Sequence, residues 1–213
     1  MNGIQNELDK GNACIAIFVD LKKAFDTVNH EILLKKLEHI GIRGVAKMLF
    51  ESYLNDRKQF VQLGSTKSSL GCISCGVPQG SILGPLLFLI YVNDMSRAIS
   101  TGMIRLFADD TCIIYKGKDI KSIAKVVNDE LVLLSNWFKV NVLAINVKKS
   151  NFMIIKNSRK KLKDDIRINF DEKCLEQCKK WKYLGVIIDD CLNWKEHVRK
   201  VCNISNNRFI IKN

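Results

Sequence analysis

At 213 residues and 47% apolar composition, the chain can bury a sizeable core as one large domain, or as one and a half small ones. Thirty-four Lys and Arg against 22 Asp and Glu give a net charge of +12, an unusual excess of basic residues. The longest apolar run, Ile82 to Val92, is broken by Gly84-Pro85 and falls short of the roughly 20 residues a membrane span needs.

The charge is uneven: residues 1–140 hold 17 basic and 14 acidic residues, whereas 141–213 hold 17 and 8, a net +9. That flank suggests a polyanion partner; a Lys-rich solvated surface is the alternative. The opening residues, Met1 to Glu7, have neither the basic start nor the apolar run of a secretory signal. Eight cysteines without such a signal point to a reduced, intracellular protein, cytoplasmic or nuclear and not secreted. Cys72 and Cys75 have a zinc-like spacing, but Cys174 and Cys178 do not, and no His lies close in sequence to either pair.

In chain order, Ile15-Ala16-Ile17-Phe18-Val19 reads as a buried strand ending in Asp20. Asn29 is a good cap for a helix that stops before Gly41. Val45, Met48, Leu49, Ser52 and Tyr53 fall at helical spacing and predict a second helix over about 43–54. Gln59 to Leu63 reads as a strand, with Ser68 to Ser74 as its partner. Gly76 to Pro85 holds both prolines of the chain and three glycines: a loop of fixed shape, with Pro85 in the first turn of the following helix. That helix, Leu86 to Asp94, is apolar nearly all round and should be buried.

A second strand, Ile104 to Ala108, delivers Asp109 and Asp110 where a hairpin should turn, and Thr111 to Tyr115 is its return arm. Asp119 caps a long amphipathic helix whose apolar stripe includes Ile123, Val127, Leu131, Leu134 and Phe138. Strands are expected at Phe152–Ile155, Ile166–Phe170 and Tyr183–Ile188, with a basic, solvated connection over Lys156–Lys163. The order predicts an α+β fold, an antiparallel sheet around a central hairpin backed by helices, and argues against a doubly wound parallel sheet.

Carboxylates at the ends of buried strands are costly unless neutralised. Asp20, Asp109 and Asp110 together suit hard, oxygen-loving Mg²⁺, and two such ions serve in-line phosphoryl transfer. An ordinary Asp-Asp turn and a strand-end Asp are the alternatives that the residues leave open. No Ser-His-Asp or Cys-His arrangement accompanies them, and His30, His39 and His197 are scattered.

The ordered set is similar to the reverse transcriptase family. Phe18-Val-Asp20-Leu-Lys-Lys-Ala-Phe25-Asp26, then Gly76-Val-Pro-Gln-Gly-Ser-Ile-Leu-Gly-Pro85, then Phe107-Ala-Asp109-Asp110 carry the resemblance. Asn146-Val-Lys-Lys149-Ser150 resembles the family's fourth motif, and Lys182-Tyr183-Leu184-Gly185-Val186 its primer grip. The intact loop-and-helix motif, running on through Leu-Leu-Phe88, looks like the non-LTR retrotransposon branch, as in LINE-type and jockey-like elements.

The resemblance implies a right-hand polymerase palm over residues 1–190, with 191–213 the start of a thumb or a tail. It implies an RNA-directed DNA polymerase with two Mg²⁺, or Mn²⁺, an RNA template, a DNA primer and deoxynucleoside triphosphates. Asp20 and Asp109 would be metal ligands, with Asp110 the third carboxylate. Phe25 stands where an aromatic crowds the sugar 2′ position; packing in the core is its alternative. Gln79 and Gly80 match residues lining the nucleotide and template pocket. Lys149 matches a general acid for the leaving pyrophosphate, with a solvated Lys as the alternative. Leu184 and Gly185 match the turn that steadies the primer end. Phe107 stands where many relatives have Tyr. With 19 residues before Asp20 and 28 after Gly185, most of the fingers and thumb are expected to lie outside this chain. A remnant that binds nucleic acid without catalysis, and a group II intron or retron-type enzyme, are the competing readings.

Overall fold

The computed structural model describes residues 2–157 and 165–210. A short helix, α1 (Asn2–Asp9), leads into β1 (Ala13–Val19). Helices α2 (His30–His39) and α3 (Gly44–Leu54) follow. A broken hairpin comes next, built from β2 (Lys58–Gln59), β3 (Gln62–Leu63), β4 (Thr66–Lys67) and β5 (Gly71–Cys72). Then come α4 (Leu83–Val92), β6 (Met103–Phe107), β7 (Asp110–Gly117) and α5 (Ile120–Val140). The rest comprises β8 (Asn151–Ile155), β9 (Asn169–Phe170), β10 (Lys173–Cys174), β11 (Glu176–Gln177), β12 (Lys180–Tyr183), β13 (Val186–Asp189) and α6 (Lys195–Ile210).

The main sheet has the order β11-β8-β1-β7-β6. Its first-placed strand, β1, is also its centre, antiparallel to both β7 and β8. The expected antiparallel sheet is therefore present, with one addition: β11 runs parallel to β8 and makes the sheet mixed at that edge.

Both faces of β1 are covered, which is why it reads as a continuous apolar run and not as an alternation. Ile15, Ile17 and Val19 pack with Leu33 of α2, Phe88 of α4 and Val127 of α5 in the larger core. Cys14, Ala16 and Phe18 face the other way, against Leu8 of α1 and Trp181, Tyr183 and Ile188 of the β12–β13 hairpin. Helix α1 is an addition to the elements expected from the sequence.

The caps are as expected. Asn29 Oδ1 accepts from the Ile32 N–H at 3.0 Å, and Asp119 Oδ2 from the Ser122 N–H at 2.8 Å. A further anchor sits in the middle of α5. Glu130, buried, accepts the Ser100, Thr101 and Gly102 N–H groups at 3.0, 2.7 and 3.0 Å, and so holds the turn that launches β6.

Two expected strands are corrected. Tyr183–Ile188 is a hairpin and not one strand: Leu184 (φ 48°) and Gly185 (φ 83°) both occupy the left-handed region and reverse the chain between β12 and β13. Ile166–Phe170 shortens to β9, which pairs with β10. The strand pair read over 59–74 is present as two separate short ladders, β2 with β5 and β3 with β4. Most of the basic connection at Lys156–Lys163 lies outside the described residues.

Candidate active site

The two carboxylate-bearing segments meet because β1 and β7 are neighbours. Val19 pairs with Thr111, so one more step along the same register sets Asp20 opposite Asp110. Strand alternation then fixes the side: Asp20 and Asp110 fall on the face that carries Phe18 and Cys112. Asp109 occupies the β6–β7 turn beside Ala108, whose φ is 53°.

Their proximity has an electrostatic signature. The Asp110 carboxyl is pushed above the ordinary aspartate range, first by burial, then by the charges of Asp109 and Asp20. Among the described residues none of the three forms an ion pair. An unneutralised, all-oxygen donor set of this kind fits a hard divalent cation. The tightest cluster of potential ligands among the described residues lies elsewhere. Asp189, Asp190 and Cys191, after β13, have ligand atoms within 4.8 Å of one another. There Asp189 is engaged locally, accepting from the Cys191 and Asn193 N–H groups.

The fourth motif packs against the same strand end. Asn146 N–H donates to the Asp20 carbonyl at 2.8 Å, and the Asp20 N–H donates to Ser150 Oγ at 3.0 Å. Lys149 lies in that turn, exposed, its N–H bonded to Asn146 O at 2.9 Å. The sequence motif singles out Lys149 and gives no sign of the Ser150 contact, because that hydroxyl acts on a backbone 130 residues away.

The Gly76–Pro85 loop is held against the segment after Asp20. Gly76 N–H and Val77 N–H donate to the carbonyls of Val28 and Phe25 at 2.7 and 2.8 Å. Buried His30 fastens the same loop, its Nε2 lying 2.7 Å from the Gly76 carbonyl. Gly76 has φ 89°, and a Cβ there would stand 2.8 Å from the Asp26 carbonyl oxygen, so this position admits only glycine without rearrangement. Gln79 is exposed and donates through Nε2 to Asp26 Oδ1 at 2.9 Å; Gly80 follows, also exposed. Phe25 is half-buried and stacks on Phe88 at 4.6 Å, so packing and an open edge are combined in one residue. An open cavity of about 620 Å³ runs beside this loop, lined by Lys23, Asp26, Arg57, Gln79 and the neighbouring backbone.

The β12–β13 hairpin closes the carboxylate face from the other side. Trp181 stacks on Phe18 at 5.4 Å and Tyr183 lies 6.0 Å from the same ring. Trp181 and Tyr183 also line a small cleft with Asp20 and Asp110. Tyr183 is pushed above the ordinary tyrosine range by burial, with smaller contributions from Cys112 and Asp110. Leu184 and Gly185 sit at the hairpin's tip, Leu184 exposed.

A family model described as "Reverse transcriptase (RNA-dependent DNA polymerase)" matches residues 2–188. The chain belongs to the reverse transcriptase family. A probable RNA-directed DNA polymerase from the transposon X-element of Drosophila melanogaster is 31% identical over 197 residues, 91% of this chain and 21% of that protein. The RNA-directed DNA polymerase from the mobile element jockey of Drosophila funebris is 29% identical over 198 residues, covering 90% and 21%. These relatives place it with the non-LTR retroelements, and the chain spans about a fifth of their length. In fold, it resembles a Candida tropicalis telomerase lacking its C-terminal domain, with TM-score 0.60 at 17% identity, over 91% of this chain and 38% of that one. That likeness bears out the α+β palm. Membership in this family implies use of a divalent metal. Among the described residues, no helix is long and apolar enough to cross a membrane.

Proposed function

We propose that this chain is the palm of an RNA-directed DNA polymerase from a non-LTR retroelement, extending a DNA primer on an RNA template with deoxynucleoside triphosphates. The observation that carries the reading is the meeting of Asp20 and Asp110 across the β1–β7 ladder, with Asp109 in the adjoining turn, and no ion pair to any of the three among the described residues. In this reading residues 1–190 are the palm, and the segment from 191 begins the next part of a longer protein.

Asp20 and Asp109 would hold two Mg²⁺, or Mn²⁺, with Asp110 beside them. When bound, such ions would supply the positive charge that favours the primer 3′-oxyanion and the departing pyrophosphate. Lys149, on the turn clasped to Asp20, protonates the leaving pyrophosphate. Gln79 and Gly80 line the nucleotide and template pocket, with Asp26 steadying the Gln79 amide. Phe25, stiffened by Phe88, presents bulk against a ribose 2′-hydroxyl. Leu184 and Gly185, at the tip of a hairpin anchored on Phe18, steady the primer end.

Titration of the chain with Mn²⁺ tests the ligand set. Asp20→Asn and Asp109→Asn remove a charge at nearly constant shape and should each weaken binding at least tenfold, about 1.4 kcal/mol. Wild-type affinity in both variants would overturn the assignment.

A further inference from the structure

Asp20 stands where the strand ladder ends. The pairing of β1 with β8 stops at Phe18 and Asn151, and the chain bends away at Ser150. Beyond that point a side chain takes over from the ladder. Ser150 is 1% exposed; its Oγ accepts the Asp20 N–H at 3.0 Å and donates to the Asn146 carbonyl at 3.0 Å. Asn146 in turn donates its N–H to the Asp20 carbonyl at 2.8 Å. Both main-chain groups of Asp20 are thus held by one five-residue turn, closed by one hydroxyl. The Asn146 carbonyl also takes the Lys149 and Ser150 N–H groups, each at 2.9 Å, so the same closure sets the backbone at Lys149.

We propose that Ser150 is a positioning residue: its buried hydroxyl fixes the backbone of Asp20, and with it the direction of that carboxylate toward a bound cation and its distance from Lys149. The proposal rests on the reading of Asp20 as a metal ligand. The physical reason is satisfaction. A methyl at this position leaves the Asp20 N–H without its acceptor at a part-buried strand end, which must relax for that group to find water. Partners that orient a ligand in this way are typically worth about 10–100-fold in metal affinity. Thr preserves the hydroxyl, whereas Ala and Cys remove or weaken it.

The test uses the whole 213-residue chain, with Mn²⁺ alone as the probe and amide exchange at Asp20 as a readout that needs no metal. Ser150→Ala is expected to lose about tenfold in Mn²⁺ affinity and to speed exchange of the Asp20 amide, while Ser150→Thr restores both. If Ser150→Ala does not fold, Ser150→Cys carries the comparison, since it keeps the shape with a poorer hydrogen-bonding atom. Wild-type Mn²⁺ affinity in the hydroxyl-less variant, or slow Asp20 exchange there, would overturn the proposal. Asp20→Asn in parallel separates the two ideas: if it binds Mn²⁺ like the wild type, the ligand assignment fails, whatever Ser150 does to amide exchange.

Discussion

Asp110 carries a charge that the metal-free fold disfavours. Its carboxyl is pushed up by burial and by two like-charged neighbours. A carboxyl raised in the folded state contributes stability below its unfolded value of 3.8, and that contribution is lost as pH rises through the folded value. At neutral pH the metal-free chain therefore carries unrelieved repulsion. Asp110→Asn is expected to melt higher than the wild type at pH 7 without metal, with the gap closing at about pH 3, where both forms are neutral. Saturating Mg²⁺ should shift the ranking toward the wild type, because a ligand bound only by the folded state stabilises it. Thermal melts at both pH values, with and without Mg²⁺, check this; a lower metal-free melting temperature for Asp110→Asn at pH 7 would contradict it. At this scale the acids were legible in the sequence, since three Asp at the ends of apolar runs are conspicuous. Ser150 and His30 were not, because their partners, Asp20 and Gly76, are 130 and 46 residues away and a buried hydroxyl or imidazole leaves no periodic trace.

At the level of elements, what local chemistry dictates was readable. Asn29 and Asp119 cap α2 and α5 because each offers an acceptor to an otherwise orphaned N–H, a need written within four residues. The β12–β13 reversal was hidden. Tyr183 to Ile188 has the apolar content of a strand, and only the left-handed backbone at Leu184-Gly185 breaks it. The parallel edge strand β11 was hidden too, since two residues, Glu176 and Gln177, carry no pattern. Glu130 is the element-scale anchor with the clearest consequence. Burial alone would raise its pKa, but hydrogen bonds from Thr101, Gly102 and Ser100 outweigh that and hold it below the usual glutamate value of 4.5. Its stabilisation is therefore present above that unfolded value and is lost as pH falls through the lower folded one. Glu130→Ala should cost about 3 kcal/mol at pH 7 by leaving N–H groups of the 100–102 turn unsatisfied. The difference should shrink in acid, which denaturant unfolding at pH 7 and at about pH 3 would show. A pH-independent difference would mean that packing, not charge, is what Glu130 provides.

Over the whole molecule, the net +9 of residues 141–213 lies on the part of the chain that includes the Asp20 clasp and the hairpin over the carboxylates. If that charge meets phosphates, RNA affinity should fall by about tenfold or more between 50 and 200 mM salt and depend little on sequence. Filter binding across that range checks it, and a flat response would return the charge to ordinary solvation. Apolar side chains also remain exposed on the helical side, Val45, Met48 and Leu49 of α3 among them. A surface of that kind in the isolated chain favours self-association. Positioning contributes roughly 7–11 kcal/mol in reactions between well-oriented groups. The relatives are about five times longer than this chain, so the isolated palm is expected to extend a primer poorly. Catalysis is accordingly best assayed with the chain in the context of its flanking coding sequence: primer extension on an RNA template with Mg²⁺, wild type against Asp109→Asn. Extension by the wild type and a loss of about a thousandfold or more in the variant, about 4 kcal/mol of barrier, is the expected result. Equal extension by both proteins would show that the carboxylates gathered at this strand end are not the catalytic centre.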